Sequence, residues 1–216
     1  MDSTAEPTLN ETTTASVDWP RTTADIVRGE VAFLVFTAAS VALHPGFVLE
    51  RDEGGMSNYG LHAKTAVPYT LALFLLALYS RRAALACNNQ DTRVRRLRVV
   101  LNSYSLILVL VLASSYVYSL DAALTDVHFA LGTVLILVVG TASLWMLRLR
   151  PPVARDWLFL VVQLSGDVLA LITALGVVHL LFLAEILANV GFASFLIRTS
   201  QWFRHEGSPQ TSRSRV

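Results

Sequence analysis

Two carboxylic residues, Asp167 and Glu185, lie inside long apolar stretches of this sequence. Each has a carboxamide one helical turn away, Gln163 and Asn189. Both pairs are symmetric in sequence about Gly176. If Gly176 is the turn of an antiparallel helical hairpin, equal spacing predicts equal depth, roughly 13 Å from the turn at ~1.5 Å per residue. A charged group at that depth in hydrocarbon is costly, so it should face a bundle interior or a water-filled cavity. The pattern predicts a polar seam, Gln163, Asp167, Glu185 and Asn189, between two helices. Gly166, Ala170 and Ala174 on one side, with Ala184 and Ala188 on the other, are small enough to bring the helices close. Such a seam binds a proton, a cation or a ligand head group, or it serves as hydrogen-bonded glue that sets helix register.

A second set of groups is His44, His62, His128, His179 and Asp126, which all fall near the opposite ends of the predicted helices from the arginine clusters. They would line a vestibule on the outer face. No two of them have the helical spacing of a metal motif, so no metal and no particular cofactor is expected. Cys87 is the only cysteine, which excludes an intrachain disulfide and reads as a bystander thiol.

The elements that must carry these residues are membrane helices. The chain has 216 residues, of which 54% are apolar, and its mean hydropathy is +0.53. Uncharged runs of about 20 residues cross a hydrocarbon core. The expected fold is an all-α bundle of six transmembrane helices over residues 23–203. The helices are predicted at approximately 25–45, 65–86, 98–120, 126–147, 156–176 and 179–203. Residues 1–22 and 204–216, rich in Ser, Thr and Arg, are predicted to be disordered cytoplasmic tails.

Orientation follows from the basic residues. Only Arg51 and Lys64 fall on one side; the loops at 81–98 and 148–155, both tails and the helix ends next to them (Arg28 and Arg198) hold all other arginines. The positive-inside rule then places both termini in the cytoplasm of a multi-pass plasma-membrane protein. Trp19, Trp145, Trp157 and Trp202 fall at the cytoplasmic helix ends, as an interfacial belt requires. The excess of Arg over Lys in an Ala-, Val- and Leu-rich chain points to a high-GC bacterial genome. The expected partners are membrane lipids and a second copy of the chain, with no nucleic acid.

The loop at 45–66 is the longest on the outer side and is rich in turn formers, so it is expected to fold over the bundle as a cap. Within it, Ser57-Asn58-Tyr59-Gly60, followed by Pro68 at the start of the second helix, resembles the six-helix membrane superfamily of the DRAM and Sfk-type proteins and their bacterial relatives. This chain has Asn58 where that superfamily usually has an acid, and it lacks loop cysteines. The resemblance implies a non-enzymatic membrane protein tied to lipid organisation. Ser165-Gly166-Asp167 invites comparison with rhomboid and intramembrane aspartyl proteases, but Gln163 and Leu164 stand where those motifs need glycine.

Three functions are consistent with these features. The leading one is a non-catalytic protein that binds lipid or a small hydrophobic or cationic molecule in transport, envelope organisation or sensing. The others are a membrane-embedded enzyme acting on lipid at the outer face and a proton-coupled transporter using the two carboxylates.

Overall fold

The structure is a computed structural model and describes residues 17–49, 55–87, 91–149 and 151–206. The described residues form eight α-helices and short 3-10 turns. The helices are α1 (Trp19–Leu43), α2 (Gly46–Leu49), α3 (Asn58–Leu61), α4 (Ala66–Ala86), α5 (Thr92–Ser115), α6 (Ala122–Met146), α7 (Ala154–Ala174) and α8 (Leu181–Glu206). The fold is all-α. Five segments are long and apolar enough to cross a membrane: Trp19–Leu43, Thr92–Leu120, Ala122–Leu149, Ala154–Ala174 and Leu181–Glu206. The expected sixth, α4, has the length but carries Arg81 and Arg82 within it and is less apolar.

The first helix begins six residues before its expected start at Asp25. Asp18 caps it by accepting a hydrogen bond from the Arg21 amide at 3.0 Å, and Pro20 fits the first turn. Asp91 and Asp121 cap α5 and α6 in the same way. Thus α5 starts before residue 98, within the arginine cluster. Residues 19–22 and 204–206, expected in the tails, are helical. The remainder of both tails, 1–16 and 207–216, lies outside the described residues.

The long helices form a broken ring. Helix α8 packs on α7 and α1, α1 on α4, α4 on α5, and α5 on α6. The ring is least tight where α6 meets α7 and α8. Phe33, Leu76, Leu97, Leu101, Phe192 and Phe195 form its core. Outward faces carry exposed apolar side chains, among them Phe74, Leu106, Leu137, Val168 and Leu171.

At one end, Asp25 is fully buried and lies 3.2 Å from Arg28, 3.7 Å from Arg82 and 4.0 Å from Arg21. Asp156 lies 3.9 Å from Arg198. Cys87 caps α4 here, and burial pushes its thiol up to about 11, so it stays protonated and inert at neutral pH. At the other end, residues 55–61 of the predicted loop fold inward. Tyr59 is 1% exposed and Thr65 Oγ1 donates to its carbonyl at 2.7 Å. This segment is a cap, as its composition suggested. Glu50, Arg51, Asp52 and Glu53 lie outside the described residues.

Helices α7 and α8 pack backbone to backbone. A Cβ on Gly166 would lie 2.6 Å from the Ala184 carbonyl oxygen, and one on Gly191 would lie 2.5 Å from the Gln163 nitrogen. The chain leaves α7 through Gly176 at φ +73°, with its amide bonded to Thr173 O and the Val177 amide to Ile172 O. The turn residue is as expected, but the register is not. Gly166 faces Ala188 and Gln163 faces Gly191, so the hairpin is symmetric about Val177. The reason is the connection: after the glycine the chain continues to residue 180 before α8 begins, so the turn is longer on its α8 side.

Candidate functional site

The register shift divides the expected seam. Gln163 is fully buried against α6, where its Oε1 accepts a hydrogen bond from Ser143 Oγ at 2.6 Å. Asn189 turns to α1 and α5, its Nδ2 donating to Glu30 Oε2 at 2.9 Å and its Oδ1 accepting from Tyr104. Glu185 reaches the cap, where its Oε2 accepts the Met56 amide at 2.6 Å. Asp167 faces α6, with Gly140 opposite. The four residues are therefore not one contiguous hydrogen-bonded seam.

Three of them nevertheless meet at one place. Asp167, Glu185 and Asn189 line a partly open cavity of about 580 Å³ between the long helices and the cap. Most of its wall is apolar, supplied by residues such as Phe33, Leu73, Leu108, Ile136, Val139 and Phe192. That is the usual make-up of a small-molecule site: an apolar wall with a few convergent polar groups. The side of α6 is thinly packed. A Cβ at Gly132, which also lines the cavity, would meet nothing within 4 Å, and one at Gly140 would meet only Asp167.

Asp167 is the polar group with the strongest demand for a partner. It is 8% exposed, and neither carboxyl oxygen has a hydrogen bond of good geometry among the described residues, although the Gln163 carboxamide, whose own Nε2 is also unpartnered, lies beside it. A buried carboxyl left unpartnered is costly and is uncommon in folded proteins unless something else satisfies it. Glu30 Oε1 is likewise unpartnered, but its other oxygen is held by Asn189. Sequence reading passed over Glu30. With the start of α1 moved to Trp19 by the Asp18 cap, Glu30 is three turns into the helix.

The histidines separate. His44 and His62 pair with Phe47 on the cap side, with ring centroids 4.2 Å apart for His44 and Phe47 and 4.8 Å for His44 and His62. His128 and His179 line the cavity, and Asp126 is exposed. The predicted vestibule set is thus in three places. No three His, Cys, Asp or Glu side chains gather as a metal site among the described residues.

The cap is positioned by two glycines. Gly55 has φ +57°, and a Cβ there would lie 2.6 Å from Glu185 Oε2. Gly60 admits the Tyr69 ring, which a Cβ would approach to 2.9 Å. Replacing Glu185 with alanine leaves the Met56 amide without that acceptor. The expected cost is about 1–3 kcal/mol, with faster hydrogen exchange at the Met56 amide, while Glu185→Gln keeps an acceptor and protects it. Equal exchange in the two variants would show that Glu185 does not hold the cap.

Comparison with known proteins gives no family: no family model, no curated protein and no solved structure matches the chain.

Proposed function

We propose that the protein is a six-span membrane protein that binds a small amphiphile within the helix ring, its cationic or hydrogen-donating head against Asp167. The observation that carries this reading is the buried Asp167 carboxyl, without a hydrogen bond of good geometry, in an apolar cavity of about 580 Å³. An ammonium group would supply the missing charge and hydrogen bonds, and an alkyl chain would fill the apolar wall. The thin packing of α6 offers an entry path from surrounding lipid.

The sixth span in this reading is α4. Its 21 residues extend roughly 31 Å, and it packs between α1 and α5, which are themselves apolar enough to cross. Arg81 and Arg82 then sit at the cytoplasmic interface with the other arginines. The basic residues orient both termini to the cytoplasm, the cap faces outward, and the plasma membrane is the location. Membrane lipids are the immediate partners. Ser57, Gly60 and Pro68, which carry the DRAM and Sfk-type resemblance, agree with a role in lipid organisation.

Gly132→Trp tests this reading. Its Cβ meets nothing within 4 Å, and the position lines the cavity, so the indole would compete with a ligand for that space. By native mass in a mild detergent, the wild-type chain should retain one small amphiphile and the variant should lose it, both remaining folded. A wild-type chain carrying nothing but detergent, or equal retention by the two, would contradict the proposal.

A further inference from the structure

The geometry points to Ser57 and His128 as a nucleophile and base that cleave a long-chain ester at the cap end of the cavity. This goes beyond binding but rests on the reading of the cavity as an amphiphile site. Both residues line that cavity. Ser57 ends the 3-10 turn Gly55–Ser57 of the cap, and His128 lies in the second turn of α6. Their partnership spans 71 residues of sequence, with Ser57 Oγ 2.8 Å from His128 Nε2.

The surrounding hydrogen bonds accommodate the tautomer that this chemistry needs. Ser114 Oγ donates to the Val111 carbonyl at 2.9 Å, so its single hydrogen is used there. It lies 2.7 Å from His128 Nδ1, and with its hydrogen on the Val111 carbonyl it accepts in that bond. Nδ1 therefore carries the imidazole hydrogen, and Nε2 presents its lone pair to the Ser57 hydroxyl. Tyr118 stacks on the ring with centroids 4.7 Å apart and fixes its plane. This is the nucleophile, base and orienting-group arrangement of serine acyl transfer, with a hydroxyl in place of the usual carboxylate as the third member.

A hydroxyl network lies behind Ser57 at the same end. Tyr69 OH is 2.7 Å from Ser115 Oγ, which donates to the Val111 carbonyl at 2.7 Å and is 3.5 Å from Ser57 Oγ. With the Ser115 hydrogen on the Val111 carbonyl, Tyr69 OH donates to Ser115 Oγ, and this hydroxyl network braces the cap behind the nucleophile.

The reaction closes with water as the only co-reactant. Ser57 Oγ adds to the ester carbonyl carbon while its proton passes to His128 Nε2. The carbon–oxygen bond to the alcohol breaks, and the alcohol leaves with that proton. Water then adds to the acyl-Ser57 ester with His128 taking its proton. The bond to Ser57 Oγ breaks, Ser57 regains a hydrogen, and the carboxylic acid departs.

The test is reaction with a long-chain alkyl fluorophosphonate in detergent, followed by intact mass and peptide mapping. One equivalent should attach to Ser57 of the wild-type chain with loss of fluoride, and His128→Gln should slow it about 100-fold or more. Mapping on the wild-type chain does not depend on a variant folding. An unlabelled Ser57, or an unchanged rate in a folded His128→Gln variant, would overturn the proposal. Thermal shift by a long-chain amine on the same sample separates the two readings. Amine binding without labelling removes ester cleavage alone, and absence of both removes the amphiphile site as well.

Discussion

Gly166→Leu will abolish the folded, monodisperse protein in detergent, and Gly191→Leu will do the same. Both positions lie where α7 and α8 touch through their backbones. The first atom of any side chain at Gly166 would be 2.9 Å from the Ala188 Cα, and at Gly191 2.8 Å from the Gln163 Cα. Relief cannot come from a flexible side-chain end, because the obstructing atoms are main chain. The helices must move apart, which breaks the contacts of Ala170 and Ala184 and shifts Asp167 relative to α6. Overpacking of a fitted core costs about 1–3 kcal/mol and occasionally more, and a displaced helix pair belongs at the upper end. Gly132→Ala provides the contrast: its Cβ meets nothing within 4 Å and alanine favours the helix, so the melting temperature should stay the same or rise. Equal melting temperatures for Gly166→Leu and Gly132→Ala would contradict the helix contact described here.

Asp167→Asn will preserve the fold and remove the preference of the cavity for a cationic head. Asparagine keeps the volume and a carbonyl acceptor but cannot carry charge. A hydrogen bond to a charged group is worth about 1.5–3 kcal/mol, which corresponds to roughly 10- to 150-fold in affinity for an amine. Binding of an alcohol of the same chain length should change little, since the apolar wall is untouched. In the absence of ligand the variant should melt at the same temperature or higher. The desolvation of this buried carboxyl outweighs its contact with the Gln163 carboxamide, so the charge is a net cost to the fold. A gain in stability with a loss of binding would mark Asp167 as a residue kept for its ligand.

Much of the fold was legible in the sequence because its signals are local. Long apolar runs require helices at these places, and Gly176 allows the positive φ with which α7 ends. The small residues on α7 and α8 meet as their spacing suggests, with Gly166 against Ala184 and Ala188. The composition of the 45–66 segment suggested a cap, and its described part packs inward around Tyr59.

What escaped was set by distant contacts. One residue of turn asymmetry moved the hairpin register and sent Gln163 to Ser143 and Asn189 to Glu30 and Tyr104. The partner of Glu185 is a backbone amide, Met56, which no residue type announces. Ser57 and His128 come from different segments with no shared motif. Glu30 was missed for a local reason, since the Asp18-Trp19-Pro20 start signal was present and unused. Asp167 was recognisable from its type and depth alone, but its orphaned oxygens were not.

Calorimetric titration of a long-chain primary amine and of the matching alcohol, into wild type and Asp167→Asn in one detergent, bears most directly on the amphiphile site. Wild type should bind the amine tenfold or more tightly than the alcohol, and Asp167→Asn should bind the two alike. The same preference in both proteins, or no amine binding by wild type, would mean that Asp167 does not receive a cationic head.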